Sequence, residues 1–409
     1  MHTKDSYPMF SVEAARERIL DAVAPLEVEE IPILEALGRV LAEDVRAEAN
    51  VPPHDNSAMD GYAVRISDLE SSPDRHPRLR VIGELPAGQV WPGQVAAGEA
   101  LRIMTGAPAP AGADSVVRFE DTQSDGQWVV IQRIPSRGAN VRYAGEDIRQ
   151  GQIVLHQGQP LRPQEVGMLA SMGHERVRVH RRPRVTVLAT GDEVIAIDAP
   201  LAPGKIRNIN SYSNAAQITE AGGEPLVLEI APDQEDSLAQ RLQRALDLGA
   251  DMIVTSGGVS VGDFDLVKHV LSTEGNIDFW WVNMKPGKPM AFGTIGGIPL
   301  LALPGNPVAA MISFMLFGRP AVRKMLGYTS WDIPAVEARL REAISRKDGR
   351  RHYLRVRLME TDEGLEAELT GDQGSGILMS MVAADGLAVI PEDRHHLEAG
   401  TTVQVLLFD

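Results

Sequence analysis

Three glycine-containing motifs follow segments with the composition of buried strands. They are Thr190-Gly191-Asp192-Glu193, Ser256-Gly257-Gly258-Val259-Ser260-Val261-Gly262-Asp263 and Pro304-Gly305-Asn306-Pro307. In an open parallel sheet, ligands bind beyond the carboxyl ends of the strands, and glycines there let backbone amides approach a phosphate. The motifs are neither a Walker loop nor the dinucleotide fingerprint. One such loop alone is often a plain tight turn, but three at one sheet edge predict an anion-binding site.

Carboxylates gather at the same predicted edge. Asp192 and Asp263 fit helix caps as well as they fit a site, whereas Glu193 and Asp265 fit capping less well. Hard oxygen ligands beside a phosphate-binding loop suit Mg²⁺, which would also let an acidic protein bind an anionic nucleotide. The pattern therefore predicts a magnesium cofactor.

A rigid cationic turn, Lys285-Pro286-Gly287-Lys288-Pro289, follows the next predicted strand. Lysines held by two prolines lose less entropy when they bind a phosphate or an oxyanion. A solvated basic turn is the alternative for this segment. A further run of small polar residues, from Pro52 to Ala63, is by composition only a turn.

The elements that must position these residues fall into four regions. From residue 183, strands alternate with helices of ten to fifteen residues, which predicts a doubly wound, mostly parallel α/β domain at 183–328. Short strand-like runs with Gly/Pro turns predict an inserted strand-rich domain at 51–146. Residues 1–50 and 147–182 form the predicted N-terminal helical framework, including a second helix around Ile33 to Leu41. Residues 329–409 predict a small C-terminal β-barrel-like domain.

The composition of the chain excludes or disfavours several kinds of partner and site. The 409 residues carry a formal net charge of −16, which disfavours nucleic acid and anionic lipid as partners. The chain has no cysteine, which excludes disulfides, thiol nucleophiles and cysteine-ligated metals and fits a reducing compartment. The first twenty residues lack a signal-peptide core, and prolines interrupt the charge-free stretch 289–318. We expect a soluble, cytoplasmic protein with no membrane partner.

Several long motifs occur together and in one order, and as a set they are far more specific than any one of them. They are Asp55-Asn-Ser-Ala-Met-Asp-Gly-Tyr-Ala63, Ile103-Met-Thr-Gly-Ala-Pro-x-Pro110, Gly145-Glu-Asp-Ile148, the three strand-end motifs, the Lys-Pro-Gly-Lys-Pro turn and Gly374-Ser-Gly-Ile-Leu-Met-Ser-Met381. This arrangement resembles the molybdopterin molybdenumtransferase family, which includes the E domain of gephyrin. The resemblance covers essentially the whole chain.

The resemblance implies a reaction in which molybdate is inserted into adenylylated molybdopterin, AMP is released and molybdenum cofactor is formed, with Mg²⁺ assisting. It also implies a homodimer whose active cleft joins the α/β domain of one subunit to the inserted domain of the other. The predicted catalytic residues are Asp60, Glu193, Asp265 and Lys285. The predicted substrate-binding residues are Thr105, Arg142, Asp147, Ser256, Gly257, Gly258, Ser260, Lys288, Pro304 and Pro307. The predicted metal ligands are Glu193, Asp233 and Asp265.

The chain departs from the family pattern at Trp281, where relatives often carry a basic residue, so one anion contact is in doubt. Asp385 replaces a more usual asparagine. Three alternatives stay open on the sequence: a dimeric scaffold like the gephyrin E domain, a tungstate-using homologue, and a nucleotide hydrolase that shares only the α/β domain. The motif Met59-Asp60-Gly61-Tyr62-Ala63 argues against the hydrolase.

Overall fold

A computed structural model describes residues 8–257 and 275–408. A mixed sheet forms the centre of the α/β region. Across the sheet, its strands in these ranges are Met9–Phe10, Gly275–Val282, Pro289–Ile295, Ile298–Leu303, Met252–Ser256, Arg184–Ala189 and Glu224–Val227. The last four run parallel to one another, whereas Pro289–Ile295 pairs antiparallel with both of its neighbours. The predicted doubly wound sheet is confirmed, with an antiparallel hairpin that the sequence reading did not include.

Helices cover both faces of this sheet. They are Asn210–Glu220, Glu235–Asp247, Pro307–Ser313 and Arg319–Met325, with a π-helical turn at Phe314–Gly318 between the last two. One face packs Trp280, Leu301 and Phe317 into the largest core cluster, and the other packs Leu238 and Ile253 into a second cluster. Burial on both faces explains why these strands are apolar throughout. A further helix predicted at 263–272 lies outside the described residues.

The N-terminal framework is assembled from segments on either side of the inserted domain. Helix Val12–Asp21 begins after Ser11, whose hydroxyl accepts a hydrogen bond from the Ala14 amide at 3.1 Å. The later elements pair across the insertion; they are Val28–Pro32 with Arg176–His180, Val45–Arg46 with Ile153–Leu155, and helix Pro163–Ser171. The helix expected around Ile33 to Leu41 is wrong: only the 3-10 turn Ile33–Glu35 forms, because Gly38 adopts a positive φ of 73° and Leu41 is buried opposite Val179.

The inserted domain contains a mixed sheet that carries two apolar clusters. The strands of this region are Asn56–Ser57, Gly61–Val64, Arg78–Leu85, Glu99–Ile103, Ser115–Arg118, Thr122–Ser124, Trp128–Ile131 and Val141–Arg142, with one short helix at Ile66–Glu70. The first and last of these strands pair with each other apart from the main sheet. The strand-rich character predicted for this region is what the structure shows.

A closed barrel forms the C-terminal region. In order around the barrel, its described strands are Arg351–Thr361, Gly364–Leu369, Ala335–Leu340, Thr402–Leu407 and Gly386–Ile390, and the last pairs again with the first. Short elements accompany it at Ile344–Ser345, Met379–Val382 and His396–Leu397. The strand Met284–Lys285 pairs in parallel with Arg351 and His352, which joins the α/β region to the barrel beside the Lys-Pro-Gly-Lys turn. The barrel-like fold predicted here is confirmed.

Candidate active site

The carboxyl ends of three neighbouring parallel strands open onto one small pocket, which we call the strand-end pocket. Its volume is about 70 Å³, and its lining includes Thr190, Glu193, Ser256, Gly257, Gly305 and Pro307. The strands Arg184–Ala189, Met252–Ser256 and Ile298–Leu303 end side by side, so the loops that follow them must meet. The structure therefore brings together residues from all three motifs that the sequence singled out.

Close backbone packing explains the glycines in these loops. Gly257 has a φ of +94°, and a Cβ there would lie 2.7 Å from the Thr190 carbonyl oxygen. Gly191 has a φ of +134°, and a Cβ there would lie 2.7 Å from Glu193 Oε2. A side chain at either position would force the loop or the carboxylate out of place. The backbone of these loops and the Glu193 side chain thus form part of the pocket wall.

Asn210, at the start of the helix Asn210–Glu220, connects two of the loops. Its Nδ2 donates hydrogen bonds to Ser256 Oγ at 2.5 Å and to the Gly305 carbonyl at 2.7 Å. Asn210 Oδ1 and Thr190 Oγ1 are buried without a hydrogen-bond partner among the described residues. Such buried polar atoms are costly unless a ligand or water satisfies them, so they indicate a site that receives a polar ligand.

The acidic residues beside the pocket are held by their own loops. The Asp192 amide donates to Asp233 Oδ2 at 3.3 Å, and the Asp233 amide donates to Asp192 Oδ1 at 3.1 Å. This reciprocal pair ties the loop after Arg184–Ala189 to the segment after Glu224–Val227. Glu193 lines the pocket itself. The structure therefore places Glu193 and Asp233 on adjoining loops.

A larger pocket lies between the α/β region and the C-terminal barrel, and we call it the cationic pocket. Its volume is about 660 Å³, and its lining includes Lys285, Lys288, Pro304, Arg350, Arg355 and Ser375. The sequence predicts Lys285, Lys288 and Pro304 as site residues. It predicts no role for the three residues of the barrel region. The signals that could have found them are the segments Gly349-Arg350-Arg351 and Gly374-Ser375-Gly376, which combine glycines with a cation or a hydroxyl.

Side chains around the cationic pocket are fixed in specific positions. Lys288 Nζ lies 3.7 Å from the centre of the Trp281 ring, and Lys285 Nζ lies 3.7 Å from Asp348 Oδ2. Arg355 is fully buried; its guanidinium donates to Ser380 Oγ at 3.0 Å and to the Gly374 carbonyl at 3.1 Å. Arg355 thereby anchors the loop that presents Ser375. A pocket with several positioned cations can bind a small dianion.

The inserted-domain residues form a separate group. The backbone amide and the hydroxyl of Thr105 both donate to Asp60 Oδ1 at 2.7 Å. These two hydrogen bonds lower the pKa of Asp60, which keeps its exposed carboxylate ionised. Arg142 and Asp147 are also exposed. In the part of the chain that the structure describes, these four residues line neither pocket.

Of the predicted site residues, Gly258, Ser260 and Asp265 lie outside the described residues, as does Asp263. Pro304 lines the cationic pocket and Pro307 the strand-end pocket, so the Pro-Gly-Asn-Pro motif contributes to both. Ser256 and Gly257 lie in the strand-end pocket. The two pockets thus lie on either side of the loop Pro304–Pro307.

Comparison with known proteins identifies the family. Residues 10–173 match the MoeA N-terminal region (domain I and II), residues 186–324 match the probable molybdopterin binding domain, and residues 337–408 match the MoeA C-terminal region (domain IV). A molybdopterin molybdenumtransferase of Haemophilus influenzae is 35% identical over 98% of this chain and 99% of its own length. The chain belongs to the molybdopterin molybdenumtransferase family.

Other relatives agree with this membership, and the family predicted from the motifs is confirmed. A molybdopterin molybdenumtransferase of a Nostoc species is 35% identical over 98% of this chain and 94% of its own length. A crystal structure of a molybdopterin biosynthesis MoeA protein from Pyrococcus horikosii has a TM-score of 0.83 and 34% identity, with 98% of this chain and 99% of that chain covered. The MoeA fold thus extends through all the regions described above.

The donor set of this MoeA-family chain fits a hard cation. Glu193 lines the strand-end pocket together with Thr190 and Asn210, whose side-chain oxygens are orphaned, and Asp233 offers a carboxylate on the adjoining loop. Carboxylate, hydroxyl and amide oxygens are ligands that suit Mg²⁺, although Arg207 also lines this pocket. Residues 8–257 and 275–408 contain no cluster of three acidic or histidine side chains that could hold a metal by themselves. They also contain no helix long and apolar enough to span a bilayer.

Proposed function

We propose that this chain inserts molybdate into adenylylated molybdopterin, with release of AMP and formation of molybdenum cofactor. The observation that carries the proposal is the convergence of Lys285, Lys288 and Arg350 on one pocket beside the strand-end pocket. Membership of the molybdopterin molybdenumtransferase family supports the same reaction.

The two pockets divide the substrates between them in this proposal. The strand-end pocket binds the nucleotide and pterin phosphates through Ser256 and the backbone at Gly257. The sequence predicts the same role for Gly258 and Ser260, which lie outside the described residues. The cationic pocket binds the oxyanion through Lys285, Lys288 and Arg350. The oxyanion and the phosphoanhydride then meet across the loop Pro304–Pro307, which lines both pockets.

Catalysis in this arrangement is chiefly positioning and charge stabilisation. The phosphoanhydride bond of the adenylylated pterin breaks as an oxygen from water or from molybdate is transferred to the phosphorus of AMP, which leaves. Ligand groups of the pterin replace oxygen ligands of molybdate, and displaced oxygen that is not carried away on AMP leaves as water. Fixed cations stabilise the negative charge that develops on the departing phosphate, and Trp281 already holds one of them, Lys288, in place.

Mg²⁺ is the proposed cofactor, held by Glu193 and Asp233 together with Asp265. When bound, it neutralises phosphate charge and polarises the anhydride. The reciprocal hydrogen bonds between Asp192 and Asp233 join the two loops that carry Glu193 and Asp233. These hydrogen bonds hold the two loops in position without a bound metal ion.

A homodimer is the proposed active form, in the cytoplasm. Asp60, Thr105, Arg142 and Asp147 line neither pocket among the described residues, although the family reaction draws on both groups. A second copy that places its inserted domain over these pockets would complete the site. The exposed Arg142 and the ionised Asp60 are available for such a contact.

The test is incubation with adenylylated molybdopterin, Mg²⁺ and molybdate, with AMP release followed by chromatography. We expect release only when both the metal ion and the oxyanion are present. Lys285→Ala should raise the molybdate concentration needed, whereas the exposed Lys347→Ala on the nearby barrel loop should behave as wild type. Full-rate AMP release without molybdate would refute the proposed reaction.

A further inference from the structure

One carboxylate lies among the cations of the cationic pocket. Asp348 Oδ2 is 3.7 Å from Lys285 Nζ and accepts a hydrogen bond of 2.5 Å from Arg350 Nη2. Asp348 Oδ1 is 2.7 Å from His352 Nε2. Lys285 and Arg350 both line the pocket, so an anion that enters it must compete with Asp348 for them.

His352 contacts the carboxylate oxygen of Asp348 that does not face Lys285 and Arg350. His352 is 7% exposed, and its backbone lies opposite Lys285 in the parallel pair that joins the two regions. Because an ionised carboxylate can only accept hydrogen bonds, the neutral imidazole carries its proton on Nε2. This N–H donates a hydrogen bond to Asp348. Burial lowers the pKa of His352 and outweighs the hydrogen bond to Asp348, which raises it. The ring is therefore neutral near neutral pH, and Asp348 keeps its full charge.

The other charges around His352 come from three elements. Two arginines lie in the loop that precedes the strand of His352. Backbone carbonyls hold the Arg346 guanidinium, and Asp348 holds the Arg350 guanidinium. On the strand Met284–Lys285, Lys285 faces it. On the neighbouring barrel strand Gly386–Ile390, Ile390 lies opposite His352. Glu392, which follows this strand, pairs with Arg351.

More distant charges complete this environment. Asp393 attracts Arg346 electrostatically. Lys288, Arg355 and Asp372 line the cationic pocket with Lys285 and Arg350. Burial would raise the pKa of Asp348, but hydrogen bonds from His352 and Arg350 outweigh it and hold the pKa below its ordinary value. Among the described groups that contact Asp348, only His352 has an ordinary pKa near neutrality.

We propose that Asp348 is a counter-ion that competes with the oxyanion for Lys285 and Arg350, and that protonation of His352 releases both cations to the oxyanion. The inference rests on the proposed function, in which this pocket holds the oxyanion. An imidazolium neutralises Asp348, so the net charge facing the anion rises by one unit. Proton binding and anion binding then strengthen each other by the same factor. Asp348 and His352 act through Lys285 and Arg350 and are positioning residues.

The test is calorimetric titration of the full chain with inorganic sulfate, a tetrahedral dianion like molybdate that does not change charge in this range. For wild type we expect several-fold tighter binding at about pH 5 than at about pH 8, because burial lowers the pKa of His352 below its ordinary value of 6.5, with proton uptake that shows as a buffer-dependent heat. His352→Gln should match wild type at the higher pH and lose both the pH dependence and the proton uptake. Asp348→Asn should bind sulfate more tightly at the higher pH, with little change on acidification.

The matched control is His396→Gln. His396 is an exposed histidine of the same region that pairs with Glu398, and its replacement should leave the wild-type pH dependence intact. Thermal melting of every variant checks that each is folded.

Two kinds of result would overturn the inference, and they are distinguishable. Proton uptake that persists in His352→Gln, or binding weakened in Asp348→Asn, would reject the counter-ion while leaving the anion site intact. Absence of sulfate binding to wild type, or unchanged binding by Lys285→Ala, would reject the anion site as well. Molybdate-dependent AMP release is measured separately, so the reaction assignment stands or falls on its own result.

Discussion

Lys288 and Trp281 form a cation–π pair, with the ammonium 3.7 Å from the centre of the indole ring. The family resemblance put one anion contact in doubt at Trp281, since relatives often carry a basic residue there. The structure assigns this position a different physical contribution. The indole holds a lysine of the cationic pocket in place, at a site where a long flexible side chain would otherwise lose entropy on binding an anion.

Replacement of Trp281 by leucine should therefore weaken oxyanion binding. A cation–π contact of about 1 kcal/mol corresponds to an affinity change of about fivefold. Molybdate or sulfate titration measures it directly. Trp281→Phe retains an aromatic face and should lose less; if leucine and phenylalanine variants bind as wild type does, the pair makes no contribution to the pocket.

Loss of the Glu193 carboxylate should raise the Mg²⁺ concentration that half-saturates AMP release, because one hard oxygen ligand is removed from the strand-end pocket. Glu193→Gln is the suitable change, since it keeps the side-chain volume beside Gly191. The exposed Glu360→Ala on the barrel serves as the control. An unchanged Mg²⁺ dependence in Glu193→Gln would remove Glu193 from the proposed ligand set.

Mixing two inactive variants tests whether the site is shared between subunits. If Asp60 and Glu193 of one site come from different chains, a heterodimer of Asp60→Ala and Glu193→Ala contains one intact site. Random exchange makes half of the dimers heterodimers, so activity should return to about a quarter of wild type. Differently tagged subunits show that exchange has taken place. No recovery after demonstrated exchange would mean that both residues serve the site from the same chain.

Acid should reveal the contribution of Glu165 to stability. Hydrogen bonds from Arg162 lower the pKa of this carboxyl from 4.5 to about 2, against the opposing effect of burial. A depressed carboxyl pKa stabilises the fold above the ordinary value, and this stabilisation disappears as the pH falls from about 4.5 towards 2.

Glu165→Gln should accordingly lower the unfolding free energy by about 1 kcal/mol near neutral pH, the usual size of a helix-capping interaction. Thermal midpoints of variant and wild type should converge on acidification. A difference that stays constant down to about pH 3 would show that the charge of Glu165 is not what stabilises this helix start.

Much of the strand-end pocket could be predicted because it depends on local chain order. Parallel strands all end at one edge, so Glu193, Ser256 and Pro307 had to come together once the strands were recognised. Asn210 was missed because its hydrogen bonds to Ser256 and Gly305 cross between loops, and a polar residue at a helix start ordinarily indicates only a cap.

The barrel side of the cationic pocket could not be predicted in the same way. Arg350 and Ser375 lie in the same pocket as Lys285 because the strand Met284–Lys285 pairs with Arg351 and His352. The two paired segments are distant from each other in the chain. Two-residue strands carry no periodic signal of their own. The antiparallel strand Pro289–Ile295 was missed for a related reason, because an apolar stretch without charges has no alternation that marks where a strand begins.

The central claim is tested most directly by the stoichiometry of a single reaction. The full chain is incubated with adenylylated molybdopterin, Mg²⁺ and molybdate; released AMP is measured by chromatography, and pterin-bound molybdenum by elemental mass spectrometry after desalting. The account predicts one molybdenum retained on the pterin for each AMP released, with both products missing when molybdate is omitted. AMP released without molybdenum on the pterin would contradict it and would indicate simple hydrolysis of the anhydride.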